Sequence, residues 1–407
     1  MESIQLNLLK IMNNFKKSAL SILVTFLVGC GGGGGSSDPV TPTIPTDPVT
    51  PTIPTDPVTP TIPDEKILKI EDVFDISGLK NVGVKFNISP KAESYGAKLI
   101  LVNVPQESEL KNKSYSIYSQ TEIVFDKAGE YVFEYITSND KGKIKLTIED
   151  SHLIKGTILK ENTVYDDTSK PYVLLGTVGV PRGMSLTILP KVTVIGNLNY
   201  IQVEGTLDAK GQDNAMVNFH ETRITPVNDG GLIKLHYVNY NMGSIYEATG
   251  NGGSATLDLE NSILNSLDRY MYIWYPVGDT RIIKNHFKNS QGVSFGFSQG
   301  QANSIQILNN KFENWTSDFA IKNWANYGDK NFAKIEYNTF MTSNANYAAV
   351  LPSGYTSAQL NMPNNYWGTT DVNKVSEMIF DKNDDLSSND YVNFQPILTQ
   401  PHPATPK

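Results

Sequence analysis

The feature that most constrains this chain is an asparagine that returns every 24 to 28 residues, each time with a large apolar residue two places later. The pairs are Asn261 with Ile263, Asn285 with Phe287, Asn310 with Phe312, Asn338 with Phe340, and Asn365 with Trp367. Their intervals are 24, 25, 28 and 27 residues. Four of the asparagines also follow an aliphatic residue by three places (Ile282, Ile307, Ile335 and Met362), while the first has Leu257 and Leu259 before it. A period of this length is the signature of a solenoid. One coil cannot bury its own apolar face; stacked coils bury it against one another. Asparagine tolerates the left-handed backbone of a coil corner, and its amide is able to bond to the amide one coil away. The expectation is an all-β fold. Residues 151–370 are read as a parallel β-helix of eight or nine coils, each about 25 residues long and about 4.8 Å thick. Asn261, Asn285, Asn310, Asn338 and Asn365 are expected to form an internal ladder.

Both ends of this region carry a direct resemblance. Val180-Pro181-Arg182-Gly183-Met184-Ser185-Leu186-Thr187-Ile188-Leu189-Pro190-Lys191-Val192-Thr193-Val194 is similar to the entry coil of right-handed parallel β-helix proteins of the pectin-lyase-like kind. Ile201 to Gly211 resembles the next coil, which Val217-Asn218-Phe219 completes, and Asn365-Tyr366-Trp367-Gly368-Thr369 resembles the closing segment. The resemblance covers roughly residues 155–398 and implies the right-handed fold. It leaves the activity open, because this scaffold hosts lyases, hydrolases and adhesins alike.

The N-terminus reads as an export signal. Lys10, Lys16 and Lys17 precede an apolar run, Ala19 to Val28, that ends in Leu27-Val28-Gly29-Cys30. The run is far shorter than the roughly 20 residues a membrane span needs, and its charged flank and small residue before the cut suit a signal peptide. Leu-Val-Gly-Cys resembles a bacterial lipobox, which implies cleavage after residue 29 and lipidation of Cys30, the only cysteine. Met12 is an alternative start. Gly31 after the cysteine resembles outer-membrane sorting of the Gram-negative type. The expected location is therefore the outer membrane or cell surface, with a lipid (palmitate-type) anchor in the membrane as one partner. A single cysteine leaves no disulfide within the mature chain even in an oxidising compartment.

Residues 30–65 read as a disordered tether. A Gly/Ser run, Gly31 to Ser37, is followed by three copies of a nine-residue unit, Asp38 to Thr46, Asp47 to Thr55 and Asp56 to Asp64. Its prolines oppose helices and ladders and favour an extended rod; at about 3.1 Å per residue it reaches up to roughly 80 Å. From Lys66 to Asp150, period-two alternation predicts six or seven strands, as in Ala97-Leu99-Leu101, Tyr131-Phe133-Tyr135 and Ile144-Leu146-Ile148. This spacing suits a small N-terminal β-sandwich. Ala128 to Tyr135 resembles the late strands of immunoglobulin-like or PKD-like modules. After the solenoid, residues 371–398 are expected to cap its end with a short helix begun by Asp371 and presenting Val372, Val375 and Ile379, followed by Val392, Phe394 and Ile397. The tail 399–407 reads as disordered.

The full chain has a net charge of −8, and residues 1–29 hold three lysines and one glutamate, so the mature form is two units more acidic still. That argues against nucleic acid as a partner; a monomer is expected. Twelve residues beyond Asn261, Asn285 and Asn338 lie Ile273, Phe297 and Val350, which are read as a stacked inward row. Their neighbours Tyr270, Tyr272, Trp274, Lys322, Trp324 and Tyr347 then point outward as a row suited to sugar rings. Asp381 to Asp385 begins like a calcium loop, but Leu386 and Val392 stand where Gly and Glu are required. His152, His220, His236, His286 and His402 show no metal-ligand spacing. No cofactor or metal is called for. Asp318, Asp329 and Glu336, with Arg269, Arg281 and Lys322, are the charges from which a lyase or glycosidase site would be built. The preferred expectation is a surface-anchored binding or adhesion module for carbohydrate. The alternatives are a polysaccharide lyase or glycoside hydrolase, and a structural envelope protein.

Overall fold

The computed structural model describes residues 66–68, 74–80, 83–88, 97–117, 121–136, 141–247, 253–299, 303–327, 332–341 and 346–407. The expected signal, lipidation site Cys30 and tether lie outside the described residues, as does Asp329. The fold is all-β, with one short helix, Val372–Ser376, among the described residues.

From His152 onward the chain winds into a right-handed-type parallel β-solenoid with three faces. The first face is an eight-stranded parallel sheet running from Thr163–Tyr165 to Phe332–Glu336, so the solenoid has eight turns along this face. A twelve-stranded sheet forms the second face and the early part of the third, and it ends at Thr339–Met341. The third face continues as five strands: Met271–Trp274, Val293–Phe297, Phe319–Asn326, Tyr347–Val350 and Ile379–Phe380. Alternation along the strands sends one set of side chains inward to a continuous core. Ile282, Ile307, Ile335 and Met362 all lie in it with no exposure. Phe287, Phe312, Phe340 and Trp367 stack through it at centroid spacings of 4.6, 5.3 and 4.8 Å. Each such ring pair adds about 0.5–1.5 kcal/mol beyond its burial.

The corner between the first and second faces is built in two adjacent columns. Tyr237, Asn261, Lys284, Asn309, Tyr337 and Asn364 all take a left-handed backbone, with φ between 50° and 62°. The residue after each of the last four is a buried asparagine, and these four form the ladder. The Nδ2 of Asn285 donates to Oδ1 of Asn310, that of Asn310 to Asn338, and that of Asn338 to Asn365, each at 3.0 Å. The same oxygens accept the backbone N–H groups of Asn285, Asn310 and Asn338. Each amide thus satisfies backbone that the sharp corner would otherwise leave unpaired in the core. Asn261 is not part of this ladder. It occupies the left-handed column, and Ser262 stands at the ladder position, where its N–H donates to Asn285 Oδ1 at 3.0 Å. The coil is one residue out of phase with the repeat, so Ile263 is 41% exposed and Leu264 packs inside. A second corner carries Glu221, Met242, Ser266, Asn289 and Asn314 at positive φ. There Gly243, at φ 92°, passes so close to the preceding coil that a Cβ would meet Thr222 O at 2.1 Å, which only glycine permits.

The end of the solenoid is covered by residues from Asp371 on, with two departures from expectation. Asp371 caps the helix by accepting from Asn373 N–H at 3.0 Å. The helix stops at Ser376, however, so Val372 is 40% exposed while Val375 is buried. Ile379 belongs instead to a strand that extends the third face against Tyr347–Val350. Val392 is buried, and Phe394 and Ile397 pack on the core. The tail, expected to be disordered, lies along the first corner. Thr405 Oγ1 donates to Tyr337 O at 2.8 Å, and His402 packs on the Tyr337 ring and pairs with Asn309.

Between Lys66 and Glu149 there are two sheets. One has three strands, Lys66–Leu68, Gly83–Ile88 and Thr121–Val124; the other has five, including Ala97–Asn103, Gly129–Ile136 and Lys141–Glu149. Leu99, Leu101, Ile123, Phe125, Tyr131, Phe133, Tyr135, Ile144, Leu146 and Ile148 form a core of their own. No helix of the described residues is long and apolar enough to cross a membrane.

Candidate functional site

The third face carries the densest grouping of aromatic side chains, and the register explains how they meet. Tyr272 is followed on successive coils by Ser294, Lys322 and Val350; Trp274 is followed by Gly296 and Ala325. Two large residues on one coil therefore face two very small ones on the next. A bulge between Phe295 and Gly296 inserts Trp324 as the unmatched residue of its strand, and a bulge re-aims the side chain it carries. The Trp324 indole lies across the coil into the space above Gly296, where a Cβ would come within 2.5 Å of it. It reaches Tyr272 at 5.7 Å, Trp274 at 4.9 Å and Tyr275 at 5.3 Å between centroids. Coils that are not adjacent are joined by ring contacts over a small-residue floor.

The row expected from the sequence is thus assembled, but not as a flat strip. Tyr270, Tyr272, Trp274, Lys322 and Trp324 come together; Tyr347 sits one coil on and packs edge-on against Phe380 at 5.4 Å. Trp324, expected to point outward, is only 8% exposed because three rings and the Gly296 floor enclose it. The inward row is also corrected. Ile273 aligns with Phe295 rather than Phe297, and Val350 aligns with Tyr272 and Lys322 in the outward column. Unequal coil lengths and the bulge break the fixed offset from asparagine.

Four rings that the sequence did not single out complete the group: Tyr275, Phe319, Tyr327 and Tyr355. Trp274, Tyr327 and Tyr355 are 44%, 44% and 48% exposed, so these are the faces open to a ligand. Burial, then the neighbouring Tyr270, Tyr355 and Tyr275, push the Tyr272 hydroxyl up to about 12. It remains a neutral hydrogen-bond donor and acceptor at any physiological pH. Lys322 holds its ammonium 4.4 Å from the Phe319 ring centroid and 5.6 Å from that of Tyr270. Burial lowers its pKa, with Asp318 opposing.

The same face holds a polar network on the preceding coils. Tyr200 and Arg223 are register partners. The Tyr200 hydroxyl donates to Glu247 Oε1 at 2.6 Å, and Arg223 donates to Glu247 Oε2 at 3.2 Å and Asp268 Oδ2 at 2.9 Å. Glu247 is 8% exposed. Burial, with Glu247 nearby, raises the Asp268 pKa, and Arg223 and Arg269 work against that rise. None of these residues was singled out from the sequence: they stand about one coil apart, and that spacing is the one signal that points to them. The carboxylates expected to gather elsewhere do not. Glu336 lies on the first face beside Lys334, Arg281 lies on that face with Asp258 and Glu260, and Asp318 stays near Lys322 on the third.

No known family, curated protein or solved structure matches this chain. The functional reading therefore rests on the geometry of the third face.

Proposed function

We propose that the solenoid is a carbohydrate-binding or adhesion module that takes its ligand on the third face. The observation that carries this is the aromatic cluster around Trp274, which leaves Trp274, Tyr327 and Tyr355 half exposed while Trp324 and Tyr272 brace Trp274. Flat apolar rings beside tyrosine hydroxyls suit the C–H faces and hydroxyls of sugars. Bracing fixes the rings before the ligand arrives, which lowers the ordering cost of binding. The test is a glycan array probed with the purified chain, with parallel product detection. Wild type is expected to retain one class of glycan, Trp274→Ala to lose it, and no product to form. Absence of any retained glycan would refute the proposal.

A second reading, a carbohydrate-active enzyme, is favoured by Tyr200, Arg223, Glu247 and Asp268. Both carboxylates of that network are engaged by Arg223, which suits positioning better than proton transfer. Binding remains the preferred proposal, with a structural envelope protein as the third.

We also propose the finer assignments. The solenoid is of the pectin-lyase-like kind, and residues 66–150 form an immunoglobulin-like sandwich. Tyr131 supports the latter: its hydroxyl donates to Lys127 O at 3.0 Å, four residues upstream, as in the tyrosine corner of such sandwiches. Cys30 is the lipid attachment site and the Pro/Thr repeat is the spacer, holding the module at the outer membrane or cell surface. Mass spectrometry of the N-terminal fragment tests this, with a diacylglycerol-bearing Cys30 expected and an unprocessed Met1 or Met12 terminus against it.

A further inference from the structure

Away from the aromatic cluster, on the outward side of the first face, the solenoid register brings together three residues that sequence spacing keeps apart. His236 is the register partner of Glu260, and Asp258 lies two residues before Glu260 on the same strand. Alternation sends Asp258 and Glu260 to the same side, and the coil below presents His236 to both. One ligand atom from each of the three lies within 4.8 Å of the others. His236 Nε2 is 3.0 Å from Asp258 Oδ2, yet Nε2 and Asp258 Oδ1 are both shielded from solvent and neither makes a hydrogen bond. With neither atom satisfied by a hydrogen bond, the Nδ1–H tautomer of His236 would leave the Nε2 lone pair for a ligand. Among the described residues, Arg281 on the following coil is the cation that pairs with both carboxylates: its Nε is 3.4 Å from Asp258 Oδ1, and its Nη2 touches Glu260. Its side chain is about half exposed, so it is free to withdraw into solvent.

We propose that His236, Asp258 and Glu260 form a binding site for a divalent transition ion, with Zn²⁺ the first candidate, and that Arg281 holds the site's charge balance until the ion displaces it. One imidazole and two carboxylates are the borderline N/O donor set that Zn²⁺ accepts, at bond lengths of about 2.0–2.2 Å, with a fourth position left for water. The ligands come from two neighbouring coils, so the ion would pin one coil to the next. No local histidine motif announces the site, because its donors are a full coil apart.

The test uses the full chain in detergent after chelator treatment, titrated with zinc chloride by calorimetry and with Co²⁺ by visible absorption. The expected results are one ion per chain and a Co²⁺ spectrum characteristic of low coordination number. His236→Ala and Asp258→Asn should each weaken binding at least tenfold, while Arg281→Ala tightens it several-fold by removing the competing cation. Circular dichroism checks that the variants, all at outward-facing and partly exposed positions, remain folded. Absence of stoichiometric binding overturns the proposal. So does binding unchanged by His236→Ala, which places the ion elsewhere, or Arg281→Ala binding no more tightly than wild type. None of these results depends on whether the third face binds glycan.

Discussion

Replacing Asn310 by Ala removes the centre of the corner ladder. The side chain has no exposure and takes part in four hydrogen bonds. Its Nδ2 donates to Ile282 O at 2.7 Å and to Asn338 Oδ1 at 3.0 Å. Its Oδ1 accepts from Asn285 N at 2.9 Å and Asn285 Nδ2 at 3.0 Å. At about 1 kcal/mol net for each bond, and with a buried N–H of Asn285 left without its acceptor, the loss is about 4 kcal/mol. Gln306→Ala, four residues earlier and pointing outward, is the control and is expected to change stability by about 0.5 kcal/mol or less. Urea unfolding followed by circular dichroism measures both. Because a solenoid is able to unfold by segments, the earliest loss of signal should fall at the coils around Asn310. A loss below about 1 kcal/mol, equal to the control, would refute the idea that the ladder holds the corner.

Three further predictions follow from other regions. Gly296→Ala places a methyl group against the Trp324 indole; it should cost about 1–3 kcal/mol and shift tryptophan emission to the red, and an unshifted spectrum would show the ring does not depend on that floor. Tyr131→Phe removes the hydroxyl that bonds Lys127 O and Asp126 and should lower the stability of the N-terminal module by about 1–2 kcal/mol, read by urea unfolding; no change would count against the corner. Burial lowers the His286 pKa below the ordinary 6.5, outweighing its bond to Glu313. Protonation therefore favours the unfolded chain, and stability should fall as pH drops below 6.5 towards the folded pKa. His286→Gln should flatten that slope, and a slope unchanged by the substitution would contradict the assignment.

The solenoid was legible because its repeat is a direct consequence of stacking: Asn285, Asn310, Asn338 and Asn365 recur where the same corner recurs. Asn261 misled because its coil is shifted by one residue, and in a strand one residue exchanges inside for outside. The same sensitivity explains Trp324. Its place in the sequence marks it as outward, but only the bulge beside Gly296 reveals that it turns across the coil and becomes the support for Trp274. Val350 was misplaced because the coils before it differ in length. The Tyr200–Arg223–Glu247–Asp268 network and the His236–Asp258–Glu260 group went unread for one reason: their members are a coil apart, and no apolar repeat marks their register. Tyr355 and Tyr327 sit in or beside connections, whose paths the period does not set.

Trp274 provides the most direct test of the binding face, because it alone of the four tryptophans is substantially exposed; Trp315, Trp324 and Trp367 are at most 8% exposed. Tryptophan fluorescence should be followed while the chain is titrated with soluble oligosaccharides, with acrylamide quenching measured before and after saturation. The account predicts a saturable change for one glycan class, protection of a single accessible tryptophan from quenching, and loss of both effects in Trp274→Phe. A glycan response that persists unaltered in Trp274→Phe, or no response to any glycan, would contradict it.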